Sequence, residues 1–553
     1  MRRYSLVACL LLLCSLTGLA GEPPERAILA SAHPAASVAG LEILALGGNA
    51  FDAAVAISAA LAVVEPYGSG LGGGGFFLLR ETGEQPTYRF LDARERAPLA
   101  ASARMYERNG MVDADLSLNG ALAAAIPGLP AALVELAGRF GQLPLSSSLS
   151  PAIRLADDGF PIDPVYRERA GWRLQAMRED PESARIFLAR GEIPEEHHLL
   201  RQPDLALTLR RLAADGAAGF YRGEFAEQLV LGVRAAGGIW SLRDLADYRV
   251  VEREPLRHSL DNGRLLISAP PPSAGGIALA QSLGMLQHLP WETSGRVQQS
   301  HFVIEVLRRA YRDRGLLGDP DFVNIPTAQL LAADYLQALA RGINPLQATP
   351  SSHLPPAPAW QEGDHTTHFS VIDSAGNAVA ATLSINLPFG AAFTVPGTGV
   401  LLNNEMDDFA ANPDGANTYG LAGSPANTIA AGKRPLSSMS PTFVESADSL
   451  ASFGTPGGSR IPSMVLLAIL EYLQQRPIEQ WPARTRFHHQ YLPDLVEHEP
   501  DTFSAAEQAE LQGMGHVLKN TGRRYGNQMV LLWDKRSGTV SGASDPRGIG
   551  LAQ

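Results

Sequence analysis

Thr366-Thr-His-Phe-Ser-Val-Ile-Asp373, then Ser374-Ala-Gly376, then Asn377-Ala-Val-Ala-Ala-Thr-Leu-Ser384-Ile-Asn386 reads as two strands joined by a tight turn. Val371 and Ile372 on one side and Val379 and Leu383 on the other are strand-forming residues, and Ser-Ala-Gly has turn composition. With a three-residue loop, Asp373 faces Asn377 and antiparallel pairing runs back until Thr366 lies opposite Ser384. The two hydroxyls then meet. Asn386 is expected on the same face, because strand side chains alternate with a period of two. A slip of one residue would turn Ser384 to the other face. The pattern leaves two readings open: a surface hairpin with a Thr/Ser-rich end, and a catalytic strand.

The catalytic reading makes a specific demand. A Thr hydroxyl is a poor nucleophile unless a nearby base takes its proton, and one solution is the α-amine of a chain-terminal Thr. That amine titrates near ~8, so a proton-accepting fraction exists at ordinary pH. Thr366 is internal, so the reading requires scission of the His365-Thr366 bond.

A chain of 553 residues with 45% hydrophobic and 18% charged residues has material for a large core, in one large domain or several smaller ones. Residues 1–20 carry Arg2 and Arg3, an apolar run from Leu6 to Leu13, and Gly18-Leu-Ala20, which predicts an export signal cleaved before Gly21. Periplasmic or secreted localisation follows. The apolar run is shorter than the ~20 residues of a spanning helix, which argues against a retained anchor. Both cysteines, Cys9 and Cys14, fall in this leader, so the mature chain has no disulfide and no Cys-based metal site. The net charge of −12 argues against non-specific binding to nucleic acid or anionic membranes.

Along the chain, Ala35–Leu46 is expected to be a helix ending at Gly47-Gly48, and a second helix, apolar on all sides, is expected over about Asp52–Val64. Gly68-Ser-Gly-Leu-Gly72-Gly-Gly-Gly75 contains G-x-G-x-x-G, but it follows a helix and leads into a strand, the reverse of a dinucleotide site. Thr87–Glu95 is expected as a strand carrying Arg94, a candidate carboxylate binder or a solvated strand end. Ser150-Pro151 predicts a helix N-terminus, with the helix closed by Gly159. Residues 160–260 show no recognisable chemistry. Pro345–Pro358 is expected to be a linker directly upstream of the hairpin. His197-His198 and His488-His489 lack the i, i+4 spacing that sets two ligands on one helix face, so no metal and no cofactor are expected.

Downstream lie Asn403-Asn-Glu405-Met-Asp-Asp408, Pro435-Leu-Ser437-Ser438-Met-Ser-Pro441 and Gly454-Thr-Pro-Gly457-Gly458. Each by itself also fits a cap, a turn or a loop. Together with Gly47-Gly-Asn-Ala-Phe-Asp-Ala-Ala54, Gly72–Gly75, Pro270-Pro-Pro-Ser-Ala-Gly-Gly276, Thr366-Thr-His368 and Ala543-Ser-Asp-Pro-Arg547, they make a chain that resembles the γ-glutamyltranspeptidase (glutathione hydrolase) family over nearly its whole mature length. The resemblance implies an α/β fold, the four-layer αββα sandwich of N-terminal-nucleophile hydrolases, built as one unit from a large subunit (21–365) and a small subunit (366–553).

It also implies a set of roles. Thr366 is the nucleophile, exposed by cleavage after His365, with Ser384 opposite it. Arg94, Ser437 and Ser438 hold the substrate's α-carboxylate, while Asn386, Glu405 and Asp408 surround its α-ammonium. Gly457 and Gly458 supply oxyanion-hole amides, and Tyr419 is a lid aromatic. The implied substrates are glutathione and other γ-glutamyl compounds, with water, amino acids or dipeptides as acceptors. Ser384 stands where many members have Thr, which keeps the hydroxyl but loses the methyl that fixes its rotamer. Pro413-Asp-Gly415, between Asp408 and Lys433, is a second departure from the family's pattern and leaves the lid's length and closure open. The competing expectations are an amidase acting on glutaryl-cephalosporin or poly-γ-glutamate, and an uncleaved, non-catalytic scaffold.

Overall fold

The hairpin forms with Thr366 opposite Ser384, His368 opposite Thr382 and Ile372 opposite Ala378. Asp373 closes the turn: its N–H donates to Asn377 O at 2.9 Å, and its Oδ1 accepts from the N–H groups of Ala375 and Asn377. The structure, a computed structural model, describes residues 21–355, 365–410 and 424–553. The leader, Pro413-Asp-Gly415 and Tyr419 lie outside the described residues.

Thirteen strands carry the frame. In chain order they are β1 (Ile28–Ser31), β2 (Gly74–Glu81), β3 (Thr87–Ala93), β4 (Val251–Arg253), β5 (Leu256–Ser259), β6 (Leu265–Ser268), β7 (Thr366–Ile372), β8 (Ala378–Ser384), β9 (Thr442–Glu445), β10 (Ser449–Gly454), β11 (Met529–Asp534), β12 (Val540–Ser544) and β13 (Leu551–Ala552). One sheet has the order β13-β1-β7-β8-β2-β3-β4, and the other has the order β12-β11-β10-β9-β6-β5. Strands β7 and β8 pack face to face with β10 of the second sheet. Helices α1 (Pro34–Ala45) and α2 (Ala50–Val64) cover the outer side of the first sheet, and α3 (Leu145–Asp158) packs on α2. Helix α4 (Pro164–Glu179) precedes α5 (Gly275–Leu286) and α6 (Ile461–Leu473), which lie over the second sheet. The result is an αββα sandwich.

Helix α2 shows why these residues form this layer. Every one of its fifteen residues is buried, as its all-round apolar sequence requires. Asn49 caps it by accepting from the N–H groups of Phe51 and Asp52, and Asp52 reaches back to the Asn49 N–H at 3.0 Å. The helix therefore starts two residues before the expected Asp52. Glycines bring the next segment close: a Cβ on Gly73 would lie 2.2 Å from the Ser384 carbonyl oxygen.

Three expectations are corrected. Pro151 is not a first-turn residue; it sits inside α3, which begins at Leu145 and buries Leu149 and Ala152. The upstream apolar spacing outweighs the single N–H lost to proline. Strand β3 stops at Ala93, so Arg94 and Glu95 leave the sheet and turn into the interior. The described part of the expected linker is tied down, with Ser351 N–H on Asp494 Oδ2 (2.7 Å) and Ser351 Oγ donating to Tyr491 O (2.7 Å).

Alternation along β7 sends odd and even residues to different layers. Thr367 Oγ1 donates to Glu65 Oε2 at 2.7 Å, at the C-terminal end of α2. Ser370 Oγ meets Ser452 Oγ of β10 at 2.7 Å, linking the sheets. His368, between Thr382 Oγ1 (2.9 Å) and Ser370 Oγ (3.2 Å), is held neutral because burial pushes its pKa down to about 3. Its ring fits only because Gly454 has no side chain: a Cβ there would fall 2.1 Å from it. Gly454→Ala is therefore expected to lower stability by about 3 kcal/mol, the upper end of the usual overpacking cost. Gly513→Ala, with nothing within 4 Å, serves as the control in the same unfolding measurement. Equal stability of the two variants would show that His368 yields freely.

Candidate active site

Thr366 opens β7 at the end of the sandwich, facing a cleft whose walls include Gly457, Arg169, Arg460, Arg523 and Tyr525. Among the described residues no group hydrogen-bonds Thr366 Oγ1. The register sets Ser384 across from it, yet the two hydroxyls do not bond each other. Ser384 Oγ instead donates to the His365 carbonyl oxygen at 3.4 Å and accepts from the Asn386 N–H at 2.8 Å. While His365-Thr366 is intact, its carbonyl is the stronger acceptor within reach. Ser384 thus touches the bond whose scission the catalytic reading requires.

Asn386 does not continue the alternation. Strand β8 ends at Ser384, and Asn386 takes a left-handed conformation (φ 70°), which Asn tolerates better than most residues. Its amide donates to Asn404 O at 3.0 Å and so anchors the 3₁₀ turn Glu405–Asp408. Asn403 holds the other side of that turn, donating to Gly72 O (2.6 Å) and Ala125 O (2.8 Å) and accepting from the Glu405 N–H (2.9 Å).

Arg94 is buried at the centre of a charged cluster. Its Nη1 lies 3.0 Å from Glu405 Oε2 and 3.6 Å from Glu95 Oε2, and its Nη2 pairs with Asp408. The same guanidinium donates to Pro435 O (3.3 Å) and Leu436 O (3.2 Å), immediately before Ser437 and Ser438. Ser438 Oγ accepts from Arg314 Nη2 at 2.9 Å, and Ser437 Oγ accepts from the Met439 N–H at 3.1 Å. The structure therefore gathers Arg94, Glu405, Asp408, Ser437 and Ser438, as the sequence resemblance implies. Arg94 and the acids, assigned to opposite ends of a zwitterion, are paired with one another. Burial pushes the Glu405 carboxyl up to about 7 against the pull of Arg94, and the Glu95 carboxyl up to about 8 for the same reason.

Gly457 (φ 138°) follows β10 and lines the Thr366 cleft, and Gly458 (φ 53°) opens the short turn to Arg460. A Cβ on Gly457 would lie 2.5 Å from the terminal methyl of Met464, which can swing aside, so the positive φ is what favours glycine here.

Several contributors carry no signal of their own in the sequence. Asn427 Nδ2 donates to Asp408 O (2.7 Å) while its Oδ1 accepts from the Leu436 N–H (2.9 Å), tying the acidic turn to the Ser437-Ser438 segment. Glu95 adjoins Arg94 but was given no role. Arg169, Arg460 and Arg523 come from α4, the turn after Gly458 and a loop near the C-terminus, and nothing in their local sequence points to a shared cleft.

Comparisons with known proteins agree with this arrangement. The sequence profile of the family described as Gamma-glutamyltranspeptidase matches residues 36–553. The chain is 41% identical over 521 residues to a glutathione hydrolase proenzyme of Pseudomonas aeruginosa, covering 92% of this chain and 91% of that protein. It is 40% identical over 498 residues to a glutathione hydrolase proenzyme of Pseudomonas sp. (strain A14), covering 89% and 86%. Among solved structures, cephalosporin acylase from Bacillus halodurans superposes with a TM-score of 0.84 at 26% identity, covering 96% of each chain.

The contact between Ser384 and His365 O yields a prediction for the precursor. Ser384→Ala is expected to slow scission of His365-Thr366 on the order of tenfold, the rate equivalent of one hydrogen bond of about 1.4 kcal/mol. A time course of precursor loss on denaturing gels measures it. An unchanged rate would mean that the Ser384 hydroxyl does not act on the scissile carbonyl.

Proposed function

The chain belongs to the gamma-glutamyltranspeptidase family, and from that premise we propose that it is a self-cleaving glutathione hydrolase and γ-glutamyltransferase with Thr366 as nucleophile. In the precursor, Thr366 Oγ attacks the His365 carbonyl carbon. The C–N bond breaks, the amine takes the proton, and an ester joins His365 to the Thr366 side chain. Water opens that ester, leaving the His365 carboxylate on the large subunit (21–365) and a free α-amine on the small subunit (366–553). The amine then serves as base for its own hydroxyl. Attack on a γ-glutamyl amide gives a γ-glutamyl-Thr366 ester and releases the amine product. Water or an acceptor amine completes the cycle. Gly457 and Gly458 are assigned to the developing oxyanion, where a single donor is worth about 3 to 4 kcal/mol in other hydrolases. Residues 1–20 are assigned as an export signal, which puts the enzyme in the periplasm or outside the cell.

One observation carries the choice of substrate: the Arg94 guanidinium is neutralised by Glu405 and Asp408 in a buried cluster. The α-amino acid end of a γ-glutamyl group is a zwitterion. When it enters, its carboxylate replaces the acids on Arg94, with Ser437 and Ser438 adding hydrogen bonds, and its ammonium replaces Arg94 on the acids. Every buried charge keeps a partner. A glutaryl group brings the carboxylate without the ammonium and strands the acids, and breaking a buried pair costs about 3 to 5 kcal/mol. This favours γ-glutamyl amides over the glutaryl substrates of an acylase.

Asp408→Asn tests the assignment. It is expected to lower kcat/KM for a γ-glutamyl anilide by about 2 kcal/mol or more while narrowing the gap to the glutaryl anilide. Both anilides are compared on both proteins at one pH. Equal wild-type rates on the two, or an equal loss on both in the variant, would move the assignment to an acylase.

A further inference from the structure

The turn assigned to the oxyanion is built on two residues without side chains. Gly457 and Gly458 both have positive φ, 138° and 53°, a region that suits glycine and leaves its backbone free to wander. Within the turn the Arg460 N–H donates to Gly457 O at 3.0 Å. An amide stabilises an oxyanion only if it is already aimed at the place where the charge develops, at a distance of about 3 Å. The two glycines offer no side-chain anchor for that purpose, so the turn has to be held through its neighbours.

Ser459, the residue after Gly458, is held at both of its oxygens. Its carbonyl accepts from the Tyr311 hydroxyl, which comes from the helix Arg296–Asp313. Its own hydroxyl donates to Gln490 Oε1 at 2.8 Å. Gln490 follows the short strand Phe487–His488, and its Nε2 donates to Leu492 O at 3.3 Å, which fixes Oε1 as the acceptor end of the amide. The same Oε1 lies 3.0 Å from His488 Nε2, so that nitrogen carries a proton. Burial, followed by the charge of Arg460, pushes the His488 pKa down to about 3, so the ring is neutral and its Nδ1 accepts from the Ser463 hydroxyl of α6. Tyr311, Ser459, Ser463 and His488 are all buried, and the Tyr311 and His488 rings meet edge to face at 5.3 Å. The two anchors of Ser459 therefore also brace each other.

Resting on the oxyanion assignment above, we infer that Gln490 is a positioning residue of the reaction: anchored by His488 and Leu492, it holds Ser459 and thereby aims the Gly457-Gly458 amides. Gln490 touches neither substrate nor nucleophile in this account and moves no proton. Its single acceptor oxygen takes two donors, one from the turn and one from the strand beside it, and so transmits the rigidity of the strand to a pair of glycines. Replacing that oxygen with an apolar atom would leave the buried Ser459 hydroxyl and His488 Nε2–H without this acceptor, and the turn would relax toward other partners. An interaction made only with the developing oxyanion changes the rate of the chemical step and not the affinity for the ground state. The inference therefore has a kinetic signature that a general loosening of the site lacks.

The test compares wild type, Gln490→Met and Ser459→Ala in hydrolysis of a γ-glutamyl anilide, with kcat counted per processed chain so that incomplete scission cancels. L-Glutamate, which has the zwitterionic end but no scissile amide, serves as competitive inhibitor and reports ground-state binding. Each variant is expected to lower kcat about tenfold, less than the 10²- to 10³-fold that outright loss of an oxyanion donor costs in other hydrolases. KM and the glutamate Ki should stay within about twofold of wild type. Ser459→Ala cuts only the link between the turn and Gln490, so it decides the matter where Gln490→Met fails to fold. An unchanged kcat in Ser459→Ala, or KM and Ki rising in step with the loss of kcat, overturns the positioning role and leaves the γ-glutamyl assignment standing. Absence of anilide hydrolysis in the processed wild type overturns that assignment and the positioning role with it.

Discussion

The pairing of β7 with β8 is the constraint on which the rest depends. Asp373 fixes the turn through hydrogen bonds of both its backbone and its carboxylate, and from there each residue's face is determined. A slip of one residue would carry Thr366 away from the second sheet, release His368 from its place against Gly454, and turn Ser384 from the His365 carbonyl. The cross-links resist such a slip because they differ in kind on the two faces. Thr367 is held by a carboxylate at the end of α2, and Ser370 is held by a hydroxyl of the other sheet. The nucleophile is therefore placed by two layers at once, and the Gly457-Gly458 turn is carried on the strand that His368 packs against.

Around this fixed point the protein arranges charge in two different ways. On one side, Arg94 and its acids form a nearly self-neutralised cluster, fully removed from water and secured by Asn386, Asn403 and Asn427. Such a cluster is stable without ligand and is replaced at low cost only by a group that reproduces both of its signs. On the other side, Arg169, Arg460 and Arg523 line the Thr366 cleft together with Glu65. The zwitterionic end proposed for the donor suits the first.

What the sequence made legible was local. The apolar circumference of α2 and the three-residue turn of the hairpin are each encoded within a few residues, and the structure places both where their patterns indicate. Pro151 misled because helix-start chemistry was read without the upstream leucines that bury the preceding turns. Ser384 was expected to meet the Thr366 hydroxyl, but an intact peptide bond offers a better acceptor, a competition visible only in three dimensions. The resemblance supplied Arg94, Glu405 and Asp408 as binding residues without revealing that they neutralise one another. Arg169, Arg460 and Arg523 were illegible because they lie far apart in sequence and meet only when α4, the loop after β10 and the C-terminal region fold over the same strand end.

The central claim is that Thr366 becomes chain-terminal by the protein's own chemistry. The most direct measurement is a denaturing gel of the purified wild type and of Thr366→Ala, with N-terminal sequencing of any smaller fragment and an assay of γ-glutamyl anilide hydrolysis on the same samples. The account predicts two wild-type fragments, the smaller beginning Thr-Thr-His, and one intact, inactive chain for the variant. Full hydrolytic activity in an uncleaved wild-type preparation, or a small fragment beginning at another residue, would contradict it.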